Sequence, residues 1–113
     1  METINPFEPV QDPQRRSKIL GLLGLAYRAG QLMMGSDAVD RAIRKKQVSL
    51  LILAEDCSPN TLRHVMKAAA ETGISGCCCG SKADFARFGH GKPRAVLALT
   101  DASFAEGIRG YLA

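Results

Sequence analysis

The chain of 113 residues has no tryptophan and only 5% aromatic residues, so its core must be assembled mainly from Leu, Ile, Val, Ala and Met. Its longest apolar runs, LLGLAY and LLILA, fall far short of the roughly 20 residues that span a bilayer. The acidic, proline-bearing start METINPFEPVQDPQ lacks the basic and then apolar order of a secretory signal, so a cytoplasmic protein with no membrane partner is expected. Only two histidines, His64 and His90, accompany four cysteines. None of them falls in the paired spacing that a structural zinc site uses, so no metal is expected. The glycines of GLLGLAYRAG sit inside a helical pattern instead of after a strand, which matches neither a phosphate loop nor a dinucleotide fingerprint.

The three adjacent cysteines of GCCCG test this reading most sharply. Alternation along a strand puts Cys77 and Cys79 on one face and Cys78 on the other, so three ligands cannot converge. Reduced cysteine packs as a small hydrophobe, and packing is the expected role here. Cys57 precedes a helix start whose dipole could lower a thiol pKa, but His64 lies about two turns further on, too far for a direct pair. No catalytic residue and no cofactor is expected.

What is present points to a compact apolar body with a basic surface. An apolar content of 46% suffices for one core. Basic residues are missing from positions 1–12, which carry Glu2, Glu8 and Asp12. Residues 13–113 therefore hold all 15 Lys and Arg against the remaining 8 of the 11 acidic residues, a local net charge of +7. We read residues 1–12 as an extended or disordered arm and 13–113 as one domain. A basic body suggests a polyanion partner.

Asp12-Pro13 reads as a helix cap followed by a first-turn proline, with the helix stopped by Gly30. Ile19, Leu22, Leu23 and Ala26 form its apolar stripe, and Gly21 and Gly24 are expected to admit a close neighbour. QLMMG is a brief strand or turn. GSDAVDRAIRKKQ is a helix with acids first and bases last, as its dipole favours. VSLLILAED is an inner strand buried on both faces. Ser58-Pro59 starts the next helix and Gly73 ends it. ISGCCCG is a strand, SKADFARFG a short helix with Ser81 and Asp84 set as a variant capping box, PRAVLALTD a last strand, and ASFAEGIRGYLA a final helix. The alternation predicts an α/β fold, a three-layer α/β/α sandwich around about four strands.

Most chemical content lies in GSDAVDRAIRKK. A helix start offers N–H groups to a phosphate, and Gly35 permits close backbone approach. Asp37 and Arg41, four apart, project together. A carboxylate can accept from guanine N1–H and N2–H, while arginine can donate to O6 and N7. The plainer alternative is a solvated helix face with one Asp37–Arg41 ion pair.

The string MMGSDAVDRAIRKKQVSLLILAEDCSPNTLRHV resembles the ribosomal protein L-seven-Ae and L-thirty-e superfamily of kink-turn RNA binders. Gly35, Asp37, Arg41, LLILAED and Ser58-Pro59 carry the likeness. LGLAYRAGQLMMG and AVLALTDASFA make it closest to the short bacterial YlxQ-like branch, over residues 18 to about 112. The resemblance implies a non-enzymatic protein that docks one edge of an α/β/α sandwich on a kink-turn or similar structured RNA, ribosomal RNA among the candidates. It implies RNA contacts at Gly35, Ser36, Asp37, Ala38 and Arg41, continuing to Arg44 and Lys45. A second contact is implied at His90, Gly91, Lys92, Pro93 and Arg94, with Glu55, Asp56 and Cys57 in the nearby strand-end loop. Strong binders in that superfamily often carry Asn where this chain has Asp37 and Glu where it has Ala38. A monomer is expected, with no DNA partner. The alternative is a protein-interaction adaptor on the same fold.

Overall fold

The Asp12 carboxylate accepts the Gln14 N–H at 2.9 Å, and Pro13 occupies the first helical position, where no intrahelical N–H is needed. The helix that follows, α1, runs Pro13–Arg28 and ends in a turn at Gly30, φ +74°. The computed structural model describes residues 9–88 and 91–112. The other elements are β1 (Leu32–Met34), α2 (Ser36–Arg44), β2 (Leu50–Leu53), α3 (Pro59–Thr72), β3 (Gly76–Cys78), α4 (Lys82–Phe88), β4 (Val96–Leu99) and α5 (Ala102–Arg109).

Local chemistry sets several of these boundaries. Ser58 Oγ accepts the Thr61 N–H at 3.1 Å to start α3, and left-handed Gly73 closes it. Ser81 and Asp84 form the expected reciprocal box. The Ser81 N–H donates to Asp84 at 2.9 Å, and the Asp84 N–H donates to Ser81 Oγ at 3.1 Å. Each such cap contributes about 1 kcal/mol.

The sheet order is β1-β4-β2-β3. β4 is antiparallel to both β1 and β2, while β2 and β3 are parallel. Strands β1, β2 and β3 therefore end on the same side of the sheet, where β4 begins. Leu50, Leu51, Ile52 and Leu53 are all completely buried, as an inner strand covered on both faces requires. Full burial contributes about 1.5–3 kcal/mol for each such side chain.

One layer packs Ile19, Leu23 and Ala26 of α1, Phe85 of α4, and Ala105 and Ile108 of α5 against Leu50, Ile52, Leu97 and Leu99. The opposite layer packs Val39 of α2 and Val65 of α3 against Leu51, Leu53, Val96 and Ala98. The cysteines divide as alternation predicts: Cys77 and Cys79 face the first layer and Cys78 the second.

The close approach expected at Gly21 and Gly24 is not found. Gly21 faces open space, and a Cβ on Gly24 would meet only Phe88 at 4.0 Å. The closer contact between α1 and α5 lies at Gly107, where a Cβ would come 3.5 Å from Leu22. Helical spacing identified the buried stripe of α1 but said nothing about which face met a neighbour at short range.

Pro9 pairs in parallel fashion with Cys78, and the Val10 N–H donates to the Cys78 carbonyl at 3.1 Å. The end of the expected arm thus lies extended along β3, while its residues 1–8 fall outside the described residues. Among the described residues, no helix is long and apolar enough to cross a membrane.

Candidate nucleic-acid interface

Gly35 links β1 to α2 with φ +92° and ψ 158°, a conformation essentially restricted to glycine. Its N–H donates to the Val96 carbonyl at 2.9 Å, and its carbonyl accepts the Val39 N–H at 3.0 Å. The first bond ties the start of α2 to β4, and the second is the first hydrogen bond of the helix itself. No side chain caps this start, so the N–H groups of its first turn have no side-chain acceptor.

Arg94 lies over the same point. A Cβ on Gly35 would sit 2.8 Å from Arg94 Nη1. The two segments expected to cooperate, the start of α2 and the loop entering β4, are brought together although they lie 59 positions apart in sequence. Among the described residues Arg94 has no hydrogen bond or ion pair, so none of them takes up its guanidinium donors. Lys92 and Pro93 are exposed beside it. The Gly91 N–H donates to the Ala86 carbonyl at 3.0 Å and ties this loop to α4. The His90 expected in this loop lies outside the described residues.

Ser36, Asp37 and Arg41 are exposed and Ala38 is half-buried. The Asp37–Arg41 ion pair of the plainer reading is absent among the described residues, which leaves acceptor and donor free on one face. Arg44 and Lys45 continue that exposed face toward the end of α2.

Glu55 and Asp56 have different surroundings. Glu55 Oε2 accepts the Gly80 N–H at 2.9 Å and pairs with Arg16 Nη2 at 2.8 Å. Asp56 Oδ1 accepts the Lys82 N–H at 2.9 Å. Both carboxylates bind the chain's own backbone, fastening the end of β2 to the turn after β3. They sit on the same side of the sheet as Gly35, about 10 Å away across two strand spacings. Arg16, which neutralises Glu55, has no signal in the sequence, because 39 positions separate the pair.

The thiols give no support to chemistry at the cysteines. Burial pushes the Cys77 thiol up to about 12, and burial likewise pushes Cys78 and Cys79 to about 11. The lowered pKa conceivable for Cys57 is overturned: partial burial raises it, outweighing the backbone hydrogen bond that acts the other way. His64 is engaged elsewhere, 3.2 Å from Asp40 of α2. Among the described residues no cluster of His, Cys, Asp and Glu could hold a metal.

A mixed sheet between two helical layers, with an uncapped helix start and, among the described residues, unpaired cations at one end, defines a small α/β/α protein with a cationic edge. The chain belongs to the ribosomal protein L7Ae/L30e/S12e/Gadd45 family, which matches residues 17–108. It is similar to the RNA-binding protein YlxQ of Enterococcus faecium, 32% identical over 80% of this chain and 87% of that one. The RNA-binding protein YlxQ of Bacillus subtilis is 36% identical over 80% of this chain and 91% of that one. A Bacillus halodurans protein of unknown function superposes with a TM-score of 0.78 at 30% identity, covering 84% of this chain and 96% of the other. The Giardia lamblia 15.5kD RNA binding protein shares the fold, with a TM-score of 0.77 at 16% identity over 97% and 94% of the two chains.

Proposed function

We propose that this chain is a non-enzymatic RNA-binding protein, a cytoplasmic monomer of one folded domain, that docks on a kink-turn or similarly bent structured RNA in the ribosome or a regulatory transcript. The names of its YlxQ relatives support the RNA partner. The observation that carries the docking mode is the unpaired Arg94 guanidinium lying over Gly35 at an uncapped helix start.

The chemistry follows from that geometry. Phosphate approaches the first-turn N–H groups of α2 at the exposed Ser36 and Asp37, while Arg94 fills the space beside buried Gly35 and brings its guanidinium to the same helix start. Lys92 and Arg94 supply countercharge from the adjoining loop, and Arg41 from the helix itself. Asp37 offers the acceptor for a guanine Watson–Crick edge, a role that Ala38 cannot fill because its side chain has no acceptor. Arg41 offers the donor fork for guanine O6 and N7. Phosphate contacts supply most of the affinity and base-edge contacts the selectivity. Glu55 and Asp56 act behind this surface by holding the strand ends in register.

Gel shift of the intact protein with a kink-turn and with the same RNA lacking its sheared G·A pairs tests the proposal. Preference for the kinked RNA is expected. Equal binding to both removes the kink-turn reading. No binding to either, with a stable protein partner instead, favours an adaptor on the same fold.

A further inference from the structure

The opposite end of α2 carries a second unusual backbone. Lys46 has φ +57° and is the one non-glycine residue with positive φ among the described residues. Its N–H donates to Ile43 and the next N–H, of Gln47, donates to Ala42, both at 3.0 Å. This is the helix-ending turn whose left-handed position glycine usually fills. A lysine there is strained relative to glycine, so the turn itself gives no reason for the side chain.

The surroundings of Lys46 supply one. Arg44, Lys45 and Lys46 are all exposed, and among the described residues none of them has an ion pair. The helix dipole favours bases in this last turn, but Arg44 and Lys45 already meet that preference. Lys46 stands on the ridge between two clefts. One, of about 480 Å³, is lined by Gln31, Gln47, Ser49 and Thr100 together with Lys46. Among the described residues the Gln47 and Ser49 side chains make no hydrogen bond, and Gln31 Oε1 accepts from Thr100 at 2.9 Å, leaving its amide donors. The other cleft contains Glu71, whose carboxylate disfavours a phosphate.

We propose that Lys46 and the polar cleft beside it form a second RNA contact, which grips the backbone of a stem flanking the element bound at Gly35. This inference rests on the RNA-binding reading above. Lys46 meets a phosphate, while Gln47 and Ser49 suit a ribose 2′-hydroxyl, which both donates and accepts. Helix α2 and its caps set Gly35 and Lys46 about 16 Å apart. Arg41, Arg44 and Lys45 make the path between them continuously basic.

The test uses a minimal kink-turn and the same RNA with one or the other flanking stem lengthened, with affinities read by fluorescence anisotropy. Wild-type protein is expected to bind one of the lengthened RNAs about 10-fold more tightly than the minimal one, as one added charge-assisted contact allows. Lys46→Gly, which relaxes the turn and so keeps the fold, should remove most of that gain and leave the minimal RNA unaffected. It should also reduce the salt slope for the lengthened RNA by about 1. Lys46→Glu should act in the same direction and more strongly. No gain from either longer stem, or equal weakening of all the RNAs by Lys46→Gly, overturns the proposal. Failure of wild-type protein to bind the minimal kink-turn at all marks failure of the underlying reading, and this proposal falls with it.

Discussion

Replacing Gly35 with alanine separates the two roles given to this residue. The backbone conformation, φ +92° and ψ 158°, lies in a region almost closed to side-chain-bearing residues, and holding alanine there costs about 1–3 kcal/mol. The new methyl would also meet Arg94 Nη1 at 2.8 Å. That clash falls on the end of a long, half-buried side chain that can swing away, so its steric share is small beside the backbone strain. Gly35→Ala should therefore lower stability by about 1–3 kcal/mol, and adding Arg94→Ala should restore less than about 0.5 kcal/mol of it. With a urea dependence of about 1–3 kcal/mol per molar, the unfolding midpoint falls on the order of 1 M. RNA affinity should fall in the folded variant as well, because Arg94 is displaced from the start of α2. An unchanged midpoint would refute the strain argument. Full rescue by Arg94→Ala would show instead that the clash dominates.

The remaining predictions concern neighbouring groups. Arg41→Ala should weaken binding to a kink-turn by about 1–3 kcal/mol if it reads a base edge, while its thermal unfolding stays within about 0.5 kcal/mol of wild type because the side chain is exposed and unpaired; an unchanged dissociation constant rules out the base contact. Glu55→Ala should destabilise the fold by about 1–2 kcal/mol through the unpartnered Gly80 N–H and the loss of the half-exposed Arg16 pair, with RNA affinity per folded molecule retained; a selective loss of RNA binding would give Glu55 a direct contact. The thiols of Cys77, Cys78 and Cys79 have folded values raised to about 11–12 from an ordinary 9.0. Their contribution is therefore complete below pH 9 and declines as pH rises from 9 toward 11–12, because the unfolded chain loses those protons first. Native protein should accordingly react with a thiol reagent at pH 8 far more slowly than denatured protein, and equal rates would contradict the burial.

Much of the fold was legible because its signals are local. Ser58-Pro59 and Gly73 delimit α3 through groups within one turn of each end, and Ser81 meets Asp84 three positions on. The split of the cysteines follows from the two-residue strand repeat alone. The candidate site could be drawn in part from the sequence for the same reason, since Gly35, Asp37 and Arg41 lie within two helical turns. What the chain order could not reveal depends on packing between distant segments. Arg94 reaches Gly35 only because β4 lies beside β1, and Arg16 reaches Glu55 only because the first turn of α1 lies against the segments that follow β2 and β3. The glycines of α1 illustrate the same limit, as helical spacing carries no information about how near the adjacent layer comes. Lys46 is a further case, because its left-handed backbone is invisible in a run of basic residues that reads as an ordinary helix end.

The short parallel contact of Pro9 and Val10 with Cys78 has a consequence for self-association. β3 is an outer strand of apolar residues, and an uncovered ladder of that kind invites a second molecule to add its own strand and start an aggregate. Here the first described residues of the chain lie across that edge. Proline, with no N–H to donate, shortens the ladder it could offer in turn. On the other flank, β1 offers only three residues. Among the described residues the sheet thus leaves little of its backbone open to recruit further copies of the chain.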